Sequence, residues 1–195
     1  MLMKTAINEI LKNIKSATEY IDKDIVDEFV DILTNSKNVF VIGAGRSGLV
    51  AKAFAMRLMH LGISTYVVGE TISPAIYGDD CILAISGSGE TKTLVSAVEI
   101  AKTRGSKVLS LTSYPESSLG NRSDVAMLVK GRTKVDIDDE DYIKRQFEGK
   151  HTSLTPLGTA FELTSLIFLD GLISELMYKL GKTEYDLKYR HTVFE

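Results

Sequence analysis

The chain has little of what builds redox, metal or disulfide chemistry. It carries one cysteine and three histidines in 195 residues. A lone Cys81 cannot close an intrachain disulfide, and its place in the apolar run Cys81–Ile85 marks it as a core thiol rather than a nucleophile. His60, His151 and His191 are too scattered to form a ligand cluster with it, so neither a metal nor a cofactor is expected. Charge of one sign is also lacking. With 23 basic and 26 acidic side chains and a net charge of −3, the balance argues against a dedicated nucleic-acid surface, though not against a local basic pocket. No apolar run is long enough to span a bilayer. The best, Leu163 to Leu180, is interrupted by Asp170, Glu175 and Lys179. Lys12, Lys15, Asp22 and Asp24 break any leader-like pattern at the start. These absences point to a cytoplasmic enzyme or binding protein with no nucleic-acid or membrane partner.

What is present is alternation. Residues 4–36 place Ile7, Ile10, Leu11, Ile14, Ile25, Phe29, Ile32 and Leu33 at helical spacing, which predicts one or two helices broken near Asp22. Short β-branched or apolar runs then recur at 39–42, 64–68, 81–85, 107–111 and 125–129. Helical patterns lie over 47–61, ended by Gly62, and over 91–104. Strands and helices alternating over short connections predict an α/β fold: one five-stranded parallel sheet flanked by helices as a three-layer sandwich. The polar stretch 131–151, with its acidic cluster Asp136 to Asp141, reads as a solvated loop. Pro156 stands near the start of a long apolar helix reaching about Leu180. The expected organisation is a helical segment over 1–36, a sheet domain over 37–180 and a polar tail over 181–195, all in one structural domain.

Two turns carry the chemistry. Ser86-Gly87-Ser88-Gly89-Glu90-Thr91 follows a buried strand and opens a helix. Free N–H groups and partial positive charge at a helix start suit a phosphate. Glycines allow close approach, and hydroxyls donate without fixed charge. The second turn, Gly43-Ala44-Gly45-Arg46-Ser47-Gly48, is by itself a G-x-G-x-x-G, and Glu70 stands roughly where a dinucleotide fold places its ribose-binding acid. Against a dinucleotide, Arg46 and Ser47 suggest contact with a charged ligand, and two Ser/Gly turns on different strands suggest one compact anion held from two sides. The bland alternative is that Ser47, Ser86 and Ser88 merely cap helices.

Together these residues resemble the sugar isomerase (SIS) family. The Ser86–Thr91 turn matches its S-x-S-G-E-T motif, and the likeness runs through Gly43–Gly48, Phe54–Gly62, Val68–Thr71, Pro74-Ala75, Pro156–Glu162 and Arg190-His191. Within the family the chain is most similar to the branch acting on 3-hexulose 6-phosphate. Arabinose-5-phosphate isomerases carry a histidine in the segment that reads Pro74-Ala-Ile-Tyr77-Gly-Asp79 here, and often have paired C-terminal regulatory domains for which this chain has no room. The resemblance implies a cofactor-free interconversion of D-arabino-3-hexulose 6-phosphate and D-fructose 6-phosphate through an enediol(ate), serving the ribulose monophosphate pathway. It also implies a homo-oligomer, as a dimer of dimers. A second phosphosugar isomerase activity, or a non-catalytic phosphosugar-binding module, are the alternatives.

The resemblance assigns Gly45, Arg46, Ser47, Ser86, Gly87, Ser88, Gly89 and Thr91 to the phosphorylated ketohexose. A base must take the proton α to the carbonyl. Glu162, in the otherwise nearly apolar stretch Leu157–Phe168, is the candidate, because partial desolvation would strengthen it as a base. Asp170, eight residues on along the same helix, is the reserve. His191 is the candidate for shuttling a proton between the two oxygens, entering from a neighbouring subunit. His60 reads as a helix-end or core residue, and Arg57 as one half of a structural or intersubunit ion pair.

Overall fold

A computed structural model describes residues 1–131 and 155–191. The acidic cluster Asp136 to Asp141 and His151 lie outside these residues. Helix α1 (Leu2–Thr18) and helix α2 (Lys23–Asn35) are separate, as the break near Asp22 predicts. The Asp22 carboxylate accepts from the N–H groups of Asp24 (2.9 Å) and Ile25 (3.4 Å), capping α2. Such a cap contributes about 1 kcal/mol and sets where the second helix begins.

The sheet comprises β1 (Val39–Gly43), β2 (Thr65–Val67), β3 (Cys81–Ile85), β4 (Lys107–Thr112) and β5 (Val125–Leu128). All neighbours pair in parallel, in the order β2-β1-β3-β4-β5. Helix α3 (Arg46–Leu61) follows β1, α4 (Lys92–Thr103) follows β3, and a long α5 (Thr159–Leu180) and short α6 (Glu184–Tyr189) close the described chain. This is the α/β single-domain architecture that the alternating pattern predicts.

Successive strand residues face opposite layers. Val39, Val41, Cys81, Leu83, Ile85, Leu109 and Leu111 pack under α2, α3 and α5, against Phe29, Leu33, Phe54, Leu58, Leu169 and Leu176. Phe40, Ile82, Ala84 and Val108 face the other way, against Leu94, Val98 and Ala101 of α4 and Leu119. Cys81 is buried in the first layer, and burial pushes its thiol up to about 11, so it is inert at neutral pH.

One feature departs from the sequence reading. The polar stretch after Gly181 holds a helix, α6, nucleated by a capping box between Thr183 and Asp186 and docked on α3. Six residues are too few to show helical periodicity, so only the T-x-x-D spacing could have signalled it. Helix α1, in contrast, buries only Ala17, while Leu2, Met3, Ile7 and Leu11 stay exposed.

The sheet order sets the site. Strand order reverses between β1 and β3, where the chain leaves neighbouring strands toward opposite faces. Gly43 pairs with Ile85, so the two strands end level and their following turns stand side by side over this crevice.

Candidate active site

The crevice opens into a cavity of about 420 Å³, lined by residues 44–47, by Ile85 to Ser88 and Thr91, and by Leu157, Gly158, Phe161 and Glu162. Three helix starts therefore converge on it: Gly45 before α3, Thr91 before α4 and Gly158 before α5. The first N–H groups of a helix have no acceptor within the helix, and each terminus carries about half a positive charge. Three such ends around one cavity make a site for a multivalent anion without requiring a metal. Among the described residues, no group of three or more His, Cys, Asp or Glu could hold a metal ion.

The local sequence explains each wall. In the first turn, a Cβ on Gly43 would lie 2.6 Å from the Ser47 carbonyl oxygen, and one on Gly48 would lie 2.9 Å from that of Gly43. The end of β1 and the start of α3 touch backbone to backbone, which only glycine permits. In the second turn, Gly89 has φ of +66°, and a Cβ there would fall 1.8 Å from the Ser117 hydroxyl. The turn is therefore seated on the segment after β4. Gly89 accepts from the Leu119 N–H at 2.9 Å, and Gly87 accepts from the Ser113 N–H at 3.1 Å.

The serines do not cap helices: neither α3 nor α4 has a side-chain cap bond. The Ser86 hydroxyl accepts from the Gly89 N–H (3.2 Å) and shares a hydrogen bond with the Thr91 hydroxyl (3.1 Å), while Ser88 accepts from the Glu90 N–H (3.3 Å). These bonds shape the turn and keep Ser86, Ser88 and Thr91 along the cavity wall. Glu90 points the other way. Its carboxylate accepts from the Ser118 backbone N–H at 2.7 Å, and that bond, with help from the Ser118 side chain and the nearby Arg122, holds it below the usual carboxylate range. Glu90 thus clasps the loop on which Gly89 rests. This part was not evident in the sequence, where Glu90 is only a letter of the motif.

Opposite the turn, Glu162 is the one carboxylate among the described residues lining the cavity, and its side chain is 14% exposed. The apolar setting leaves it mostly buried, and it also carries an ion-pair partner. Arg46, from the start of α3, donates its Nε–H to Glu162 Oε2, and Oε1 folds back over Gly158. Leu157, Gly158 and Phe161 complete this wall. Pro156 marks a helix start in the sequence, and the fold makes that start the third side of the pocket.

Other candidates lie elsewhere. Asp170 pairs with Arg57 (3.7 Å), and both line a different groove with His60 and His191. His60 is buried near the last turn of α3, and the His191 ring lies 5.1 Å from it, centroid to centroid. Fourteen helical steps lead from Arg46 to His60, a distance of about 20 Å. Within one chain His191 is therefore far from Glu162. Glu70, the acid that a dinucleotide fold would use, pairs with Lys52 on α3 at 2.6 Å.

A family model described as the SIS domain matches residues 32–137, more than half the chain. The chain belongs to the SIS domain family. An uncharacterized Archaeoglobus fulgidus protein is 47% identical over 186 residues, covering 95% of this chain and 96% of its own. The Bacillus subtilis 3-hexulose-6-phosphate isomerase is 37% identical, covering 99% of this chain and all of its own. Among solved structures, a Methanococcus jannaschii protein whose crystal structure infers a molecular function of 3-hexulose-6-phosphate isomerase superposes with a TM-score of 0.78. It shares 30% identity over 97% of this SIS chain and 98% of its own. No described helix is long and apolar enough to cross a membrane.

Proposed function

We propose that this protein is a phosphosugar isomerase that interconverts D-arabino-3-hexulose 6-phosphate and D-fructose 6-phosphate through an enediol(ate). The observation that carries this reading is the cavity in which three helix starts and the Ser86–Thr91 hydroxyls face Glu162, the one carboxylate among the described residues lining it. The relatives bearing the name 3-hexulose-6-phosphate isomerase support the choice of substrate.

In this mechanism the phosphate rests on the Ser86–Thr91 turn and the N-terminus of α4. Anchoring it places C2 and C3 of the sugar toward Glu162, and the binding energy of the remote phosphate is used to orient the reacting carbons. Glu162 takes the C3 proton of fructose 6-phosphate, forming the enediolate, and returns it to C2. A proton must also pass between the oxygens on C2 and C3. His191 fills that role only if a second copy of the chain presents it, since its own chain holds it at the far end of α3. The exposed apolar residues of α1 support a homo-oligomer.

Incubation with fructose 6-phosphate should generate the 3-ketose, detectable by NMR of the sugar carbons. Conversion of ribulose 5-phosphate in place of fructose 6-phosphate would assign the pocket to an aldose–ketose isomerase instead.

A further inference from the structure

We infer that Arg46 covers Glu162 until a phosphate group draws it away, so that phosphate binding uncovers the base. The inference rests on the isomerase reading of the pocket and deepens it. Arg46 is the one cation among the described residues lining the cavity, and its side chain is 61% exposed while that of its partner is 14% exposed. The pair is therefore an exposed arm laid over a largely buried carboxylate. One Glu162 oxygen accepts from the Arg46 Nε–H, and the other lies folded over Gly158. In this arrangement Oε2 is taken up by the guanidinium and is not presented to a C–H bond on a sugar carbon.

A phosphate dianion entering the same cavity finds helix termini and hydroxyls already in place, and needs a counter-cation. A guanidinium matches phosphate oxygens as a two-pronged donor, and a dianion competes favourably with a single carboxylate for it. Exchange of Arg46 from Glu162 to phosphate neutralises the ligand and frees the carboxylate in one movement. The phosphate then acts as more than a handle: a sugar lacking it meets a covered base. Arg46 is in this account a positioning residue, acting on the reaction through Glu162.

The test needs no turnover. Glycidol, a small neutral epoxide, is opened by a free carboxylate: the carboxylate oxygen bonds to an epoxide carbon, the ring C–O bond breaks, and the freed oxygen takes a proton from water. The ester at Glu162 is followed by peptide mass spectrometry, with inorganic phosphate or with chloride at matched ionic strength. In the unaltered protein, phosphate should speed labelling of Glu162 roughly tenfold or more, the scale set by releasing one charge-assisted hydrogen bond. In Arg46→Gln, labelling should be as fast without phosphate and gain nothing from it. A rate in the unaltered protein that phosphate leaves unchanged or slows overturns the inference, as does an Arg46→Gln rate no faster than the original. Failure of the isomerase reading shows separately, as absence of the 3-ketose from fructose 6-phosphate, whatever the labelling pattern.

Discussion

The two ends of α3 are built from different materials. At its first turn the helix meets β1 through Gly43 and Gly48, backbone against backbone, and opens onto the cavity with Glu162. At its last turn it ends at Gly62, with buried His60 against exposed His191 and with Arg190 beside Gly62. At the first end, strand ends and helix starts from β1, β3 and α5 of one chain meet around the cavity. The second end is packing, with an ionisable group left on the surface. Among the described residues the cavity walls thus come from one chain, while the proton relay proposed for them needs two.

The sharpest way to break this comparison is to remove the carboxylate from the first end. Glu162→Gln should lower turnover by a factor of about 10²–10⁴, the usual worth of a general base, while phosphosugar binding measured by calorimetry persists. Unchanged turnover would remove Glu162 as the base. Next in size is Gly89→Ala. A side chain there needs positive φ and collides with Ser117, so a loss of about 3 kcal/mol in unfolding free energy is expected by denaturant titration. A loss below about 0.5 kcal/mol would mean that the turn is not seated as described.

The second end is tested by His191→Ala, which should leave phosphosugar affinity intact and reduce turnover on the order of a hundredfold. Mixing His191→Ala subunits with Glu162→Gln subunits should then restore activity, since a site pairing an intact Glu162 with a neighbour's His191 can form. Mixtures no more active than either variant would remove His191 from the mechanism.

The smallest effect concerns Glu90. Its carboxyl is held below its ordinary value by the Ser118 N–H, so the clasp contributes stability above about pH 4.5 and loses it as pH falls through the lowered native value. The thermal midpoint of Glu90→Gln should lie below that of the unaltered protein at pH 7, and the gap should close in acid. A gap independent of pH would contradict the clasp.

Much of this architecture was legible in the sequence because it is local. The strand runs, the Gly62 stop and the Ser86–Thr91 turn each depend on a few neighbouring residues with strong preferences. The strands lie within a residue or two of where their apolar runs predict them. What was not legible depends on distance. Arg46 and Glu162 are 116 positions apart, and no pattern along the chain says that one will hold the other. The same holds for His60 and His191, and for Asp170, whose spacing from Glu162 suggests one helix face but whose partner, Arg57, belongs to the far groove. Residues 157–161 were visible as a helix start, yet only the sheet order makes that start a wall of the pocket.

The central claim is that Glu162 removes the proton from C3 of a phosphoketose held on the Ser86–Thr91 turn. It is tested most directly by incubating the protein with fructose 6-phosphate in heavy water and locating deuterium by NMR. The account predicts deuterium at C3, lost in Glu162→Gln although the sugar phosphate still binds. Deuterium at C1 instead, or exchange at C3 undiminished by Glu162→Gln, would contradict it.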